Sequence, residues 1–514
     1  MGDFLLSPPF RGARESGNMP LSLYSPLFPL SFCGARESAA RTVAVYGCAR
    51  SNLPGAFRLA SASRISDAAR MHRLAWILGV IGLPLAHYWL AAKIEPFYSL
   101  IYCFLWWSYI FAADFAVFLL RGKSLLRDCP REFLVLCIWS VPLWLLFEMV
   151  NLRIQNWYYV MAPCTVSAAL IYMVLGFGSV LPGIFVTSEL VVGAIEKWAP
   201  GGKITGRPFP VPGWNIAVQM LIGAAMLVLL LVYPKSCGCM AWGFAFFLVD
   251  PICYWLGRTE RTHAGRSLLG QLASGDNTRL VALLAAGFVC GGLWEAWNLG
   301  ARTKWIYSVP FFDELKIGEM PVLGFLGFPP FALECYAMVN LLSFFRGGRS
   351  WELSAAENRE RRGMPAWGVA ACALLLPAGI FFGGLATIST AASFAVPLDW
   401  YFHSALGTQG VEALRKRHAL QGHQLLRLKE RPPEIDPALW AHLRQVARMG
   451  ELKGMGLADA LALEKLKITR IEDLARQNPE VLASNLNRFV WRPVRPEEAK
   501  VWIRAAGKQA SDTR

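Results

Sequence analysis

The chain has 514 residues, 55% of them hydrophobic and 17% charged, with a mean hydropathy of +0.37 and a formal net charge of +15. A soluble chain of this length would split its apolar residues among several cores. Here they gather instead into runs of about 18 or more, each enough to cross roughly 30 Å of hydrocarbon. That excludes a soluble multidomain protein, and it turns the positive charge from a sign of nucleic-acid binding into a sign of cytoplasmic loops.

Residues 1–70 read as a disordered or spurious extension, with Met71 as the functional start. The pentapeptide at 12–16 recurs at 34–38, and no helical or strand period is sustained. Nine apolar segments follow, at 73–92, 97–120, 133–151, 166–194, 213–233, 238–257, 280–298, 321–345 and 365–387. One set of connections holds most of the basic residues: Arg70 and Arg73, Arg121 to Arg131, Lys197 to Arg207, Arg258 to Arg279, and Arg346 to Arg362. The other holds few: Lys93, Arg153, Lys235, Arg302, Lys304 and Lys316. The alternation predicts a multi-pass protein of the cell (inner) membrane with a cytoplasmic N-terminus. Nine crossings would then place the C-terminal segment outside the cytoplasm.

Two stretches, 97–233 and 238–387, carry the same landmarks in the same order. Asp114 answers to Asp250, Ser124 to Ser267, Glu148 to Glu295 and Asn151 to Asn298. Trp157 and Tyr159 answer to Trp305 and Tyr307, Phe177 to Phe325, Glu189 to Glu334 and Trp214 to Trp367. Four crossings per copy return the chain to its starting side, so the copies are expected to run parallel about an axis along the membrane normal. The sequence thus predicts an all-α membrane bundle: an extra helix in 71–96, one repeat in 97–233 and a second in 234–390.

Six of these landmarks are acids within apolar segments: Asp114, Glu148, Glu189, Asp250, Glu295 and Glu334. A carboxylate at the centre of a membrane helix costs roughly 2.5–3.5 kcal/mol on insertion scales, so each should face a cavity or a partner. Asn151 and Asn298 each follow a glutamate by three residues, which puts acid and amide on one helix face. No Lys or Arg is expected at mid-helix to pair with the acids, and His87 is the one histidine within these segments. The acids either form a duplicated functional site or knit helix ends together. Gly and Pro in 175–182 and 323–330 suggest broken helices near Glu189 and Glu334. Twelve cysteines form no zinc or disulfide framework, and the lone Cys237–Cys239 pair does not define a redox or metal centre. No metal or cofactor is expected.

The segment Pro329, Pro330, Phe331 and Glu334 loosely resembles the Pro-x-Glu-Glu pattern of carotenoid-pathway membrane proteins of the heterodimeric lycopene cyclase type. It has one acid rather than two, at a different spacing, and Pro182 with Glu189 departs further. The resemblance implies an acid that protonates an apolar polyene.

From about 411 the composition becomes soluble, with a basic linker or helices in 391–445 and a module in 446–514. Lys453, Gly454 and Gly456 resemble the hairpin turn of helix-hairpin-helix modules. That resemblance implies either backbone amides that hold a DNA phosphate or a surface that recruits a protein. Three functions remain open: acid-catalysed transformation of an isoprenoid-like lipid, proton- or cation-coupled transport through the same acids, and a membrane scaffold.

Overall fold

A computed structural model describes residues 56–259, 267–309, 315–361, 363–490 and 492–512, and the side chains of these from residue 71 on, except 258 and 259. The chain divides into two compact units, residues 1–68 and 69–514. Most of the extension read at 1–70, and the basic residues Arg261 and Arg266, lie outside the described residues.

Helix α1 (Ala56–Ala92) begins inside the stretch read as extension. The Ala, Arg and Leu of 56–70 are good helix formers, so the helix extends ahead of the apolar run that starts at Met71. Then come α2 (Ile101–Arg121), α3 (Leu125–Asp128) and α4 (Pro130–Ile154). Strand β1 (Trp157–Ala162) leads to α5 (Val166–Phe177), α6 (Val180–Trp198) and α7 (Gly213–Val232). The chain continues through α8 (Pro234–Cys237), α9 (Phe244–Thr259), α10 (Leu268–Ser274), α11 (Thr278–Gly300) and β2 (Lys304–Tyr307). The short strands β3 (Lys316–Ile317) and β4 (Met320–Pro321) precede α12 (Phe328–Phe345), α13 (Ala355–Glu360) and α14 (Ala366–Ala391).

Among the described residues, eight helices are long and apolar enough to cross a membrane, or nine if the bent pair Pro234–Ala241 and Phe244–Gly257 is one span. The chain is a multi-pass helical membrane protein. Glycines let the spans approach closely, as membrane helices require when no water drives them together. Gly287 and Gly291 face Phe328 so tightly that an added Cβ would overlap it or its backbone. The span from 166 breaks between α5 and α6. There Ser140 donates to the Phe177 carbonyl and accepts from the Leu181 amide at 3.0 Å, which satisfies the freed backbone. The matching stretch before α12 is a 3-10 turn, Val322–Gly327.

The structure adds a small sheet to the expected all-α bundle. Strand β5 (Ala392–Phe394) follows α14 directly and pairs in parallel with β1, while β2 pairs with β1 antiparallel, Trp157 opposite Tyr307 and Tyr159 opposite Trp305. The aromatic runs are therefore paired strands as well as bulky side chains.

After β5 come α15 (Leu398–Lys416), α16 (Gly422–Arg427), α17 (Pro437–Gly450), α18 (Leu457–Lys465), α19 (Ile471–Ala475), α20 (Pro479–Leu486) and α21 (Pro496–Asp512). One core runs from Leu398 through Leu443 and Leu463 to Trp502 and Ala506. Residues 398–445 are thus part of the same packed core as 446–514, while 391–394 end α14 and form β5.

Asp459 in α18 accepts from the Gly456 amide at 3.1 Å and is buried. Burial pushes its carboxyl up to about 6, against an ordinary value of 3.8, with Arg492 pulling the other way. The folded form therefore keeps a proton that the unfolded chain releases between about pH 4 and pH 6. This side chain favours folding on the acid side of that window and ceases to do so as pH rises through 6, by about 3 kcal/mol at most. Hydrogen exchange of the α18 amides in the full chain should accelerate from pH 4.5 to 7 beyond the intrinsic rate change. Asp459→Asn should flatten the difference, and an unchanged profile in that variant would refute the assignment.

Candidate functional site

A chamber open on one side lies between the spans and the sheet. Its walls are almost wholly apolar and aromatic, including Trp144, Trp157, Trp242, Trp294, Trp305 and Phe331. Such a lining suits an apolar guest, and its ring faces attract positive charge.

Behind two parts of this wall stand Glu148 and Glu295, both buried. Oε1 of Glu148 accepts three hydrogen bonds, from the Tyr159 hydroxyl at 2.5 Å, Trp144 Nε1 at 2.9 Å and Trp157 Nε1 at 3.2 Å. Oε1 of Glu295 accepts from the Tyr307 hydroxyl at 2.8 Å, and its Oε2 is buried without a partner. All four donor residues line the chamber. Burial, and then the adjacent glutamate, hold the Tyr159 and Tyr307 phenols well above their usual range, so both stay protonated and donate.

The asparagines serve the same places in another way. Asn151 donates to the Trp157 carbonyl at 3.0 Å and accepts from the Asn156 and Trp157 amides. Asn298 donates to the Trp305 carbonyl at 3.0 Å and accepts from the Trp305 amide at 3.0 Å. Each amide clamps the chain where helix gives way to strand. One face of α4 or α11 thus carries an acid that holds the strand's tyrosine and an amide that holds its backbone. Period-2 alternation does the rest, because residues 157 and 159, like 305 and 307, point to one side of the sheet.

The other four acids do not join this site. Asp114 accepts from Trp76 Nε1 at 2.9 Å and the Leu126 amide at 3.1 Å, and Asp250 accepts from the Leu268 and Leu269 amides at 2.9 and 2.8 Å. Both satisfy the free amides at the starts of α3 and α10, alongside the capping Ser124 and Ser267. Glu334 accepts from the Ala245 amide at 2.9 Å near the start of α9. Glu189 departs from the expectation that no cation meets these acids. It pairs with Arg121 and with Arg279, whose Nη1 lies 2.8 Å away. Arg121 stands at the last turn of α2 and Arg279 at the first turn of α11, so their long side chains reach the acid from the helix ends. Arg279 also meets Glu352 at 3.1 Å.

The hairpin between α17 and α18 is likewise occupied by its own chain. Lys453 Nζ is 2.7 Å from Glu319, and the Gly454 carbonyl accepts from Trp502 Nε1 at 2.7 Å and from the Tyr158 hydroxyl at 3.4 Å. The Gly456 amide is spent on Asp459. Sequence reading missed Glu319, which is buried between Lys304 and Lys453. It also missed Trp144, Trp242 and Trp294 as chamber walls. A signal for Trp144 existed: it precedes Glu148 by one helical turn, within reach of its carboxylate.

No protein-family model matches the chain, and no curated protein and no solved structure matches it at a significant level.

Proposed function

We propose that the chamber binds an isoprenoid-like apolar lipid and that Glu148 and Glu295 perform acid–base chemistry on one of its double bonds. The observation that carries this reading is the pair of buried Glu–Tyr contacts whose tyrosines line an aromatic chamber. The two carboxylates differ in their support. Oε1 of Glu148 takes three donors, whereas Glu295 takes one and keeps an unpartnered buried Oε2 where a transferable proton can sit.

Glu295 is accordingly the acid. Its O–H proton passes to the Tyr307 hydroxyl, which lines the chamber and gives up its own proton to one carbon of a C=C bond, whose π pair forms the new C–H bond and leaves a carbocation on the neighbouring carbon. The tryptophan faces stabilise that cation. Glu148 then takes the Tyr159 hydroxyl proton as that hydroxyl, which lines the chamber, takes one from an adjacent C–H, and the C–H electron pair closes a new double bond. The product is an isomer of the substrate, cyclised if the cation first closes on a second double bond. Proton exchange with water restores both groups.

The weak resemblance to carotenoid-pathway proteins points the same way, although Glu334, which carries it, is engaged with a helix start. The matched contacts of Glu148, Asn151 and Trp157 with Glu295, Asn298 and Trp305 support an ancestral duplication with parallel copies. The charge asymmetry supports a cytoplasmic N-terminus, a C-terminal module outside and the cell membrane as the location. Coupled transport finds less support, because the chamber walls are apolar and four of the six acids are engaged elsewhere.

The test is isotopic. The protein in lipid nanodiscs is incubated with polyene hydrocarbons in D2O, and deuterium on carbon is measured by mass spectrometry. Isomerised product carrying one deuterium is the expected result. Turnover without carbon-bound deuterium would sink the proton-transfer reading.

A further inference from the structure

Strand β1 has two faces with different occupants. Trp157 and Tyr159 reach Glu148 on the chamber side. Between them Tyr158, fully buried, points the opposite way, where it clusters with Val160, Ile306 and Val501 of α21. Its hydroxyl donates to the Gly454 carbonyl, and Arg492 and Arg495 lie over its ring at 5.8 and 5.7 Å. Arg495 also donates to the Gln155 carbonyl at 2.8 Å, one residue before the asparagine that leads into β1. A second clasp joins Arg302, just before β2, to Glu451 through two contacts of 3.1 Å.

We propose that the C-terminal helical module is the positioning element of the chamber. It fixes β1 from behind through Tyr158 and so sets where Tyr159 and Trp157 meet Glu148. The inference rests on the chamber being the functional site but not on which ligand it takes. The module's hairpin is therefore a docking device for its own chain, with Gly454 as the tooth and Tyr158 as the socket. Gly454 has φ +80°, and a Cβ there would lie 2.4 Å from the Tyr158 hydroxyl oxygen and 3.2 Å from Val501. The neighbouring elements leave little room to absorb such a push. Strand β1 is held by β2 on one edge and β5 on the other, so a displaced Tyr158 must shift its two chain neighbours. A rigid strand with residues alternating between two sites provides a contiguous physical link between them.

The experiment reads the Glu148 carboxyl directly. Infrared difference spectra of the full chain in nanodiscs give its band, assigned by its loss in Glu148→Gln. Gly454→Ala is expected to shift that band and to weaken binding of parinaric acid, a fluorescent polyene read by energy transfer from the chamber tryptophans. The weakening should be roughly two- to thirtyfold, the range for coupling through packed networks. Adding Tyr158→Phe to Gly454→Ala removes the atom that the new Cβ would meet and should restore both readouts towards the parent. If Gly454→Ala fails to insert, Arg495→Gln, which frees the Gln155 carbonyl, replaces it and should shift the same band. An unmoved band in a folded variant, or a double variant no better than the single, would overturn the proposal. A shifted band in a chain that binds no polyene would keep the coupling while removing the lipid reading.

Discussion

Glu148→Gln and Glu295→Gln should each lower product formation by about 10²–10⁴-fold, the usual contribution of a positioned acid or base, while the protein still inserts and folds. Glutamine keeps the size of glutamate and keeps an oxygen that can accept from Tyr159 or Tyr307. It removes only the charge or the transferable proton. The two variants should fail differently in D2O. Without Glu295 no proton reaches the double bond, so recovered substrate should carry no deuterium. Without the Glu148 carboxylate the cation can still form and collapse back through Glu295, so recovered substrate should gain deuterium without isomerising. The reverse pattern would exchange the two roles. Normal turnover in both variants would remove acid–base catalysis by these residues altogether.

The spans were legible because lipid solvent imposes a single rule, apolar runs of sufficient length, and composition alone reveals it. The facing of Glu148 with Asn151, and of Glu295 with Asn298, was legible for a similar reason, since three residues make nearly one helical turn. What remained hidden lies across chain breaks. The partner of Glu148 is Tyr159, beyond the end of α4 and on a strand of only six residues. That strand's partners, β2 and β5, both arrive from later in the chain. Glu189 and Arg279 belong to different halves as well, so the expectation of an uncompensated acid was a statement about one helix at a time.

Matched positions also proved poor guides to matched roles. Glu189 stands 12 residues after Phe177, but Glu334 stands nine after Phe325. The difference of three is most of a helical turn along the axis. It leaves one acid near the helix-end arginines and the other at the start of α9. By contrast Glu148 and Glu295 keep their spacing to the asparagine, and both keep a tyrosine and a clamped strand.

Glu498→Ala should destabilise the C-terminal module by about 3–5 kcal/mol, the cost of leaving a buried charge without its partner. Glu498 is fully buried and takes three guanidinium contacts: Arg492 Nη1 at 3.1 Å, Arg492 Nη2 at 2.8 Å and Arg495 Nε at 2.6 Å. Arg492 is itself buried, with its side chain only 5% exposed, so water does not replace the lost carboxylate. Asp459 also acts electrostatically on Arg492, and its ionisation would recover part of the loss. The cost belongs to the orphaned cation, not to the pair as such. Replacing the buried Arg492–Glu498 pair with apolar residues, Arg492→Met with Glu498→Leu, should therefore restore most of the stability that Glu498→Ala removes, since the less buried Arg495 keeps its bond to the Gln155 carbonyl. Because Arg492 and Arg495 lie over Tyr158, the single variant should also loosen β1, and the Glu148 infrared band should move with it. Hydrogen exchange of the α21 amides measures the first effect and the infrared band the second. A double variant as unstable as Glu498→Ala would show that packing around Trp502, rather than the buried charge, sets the stability of the module.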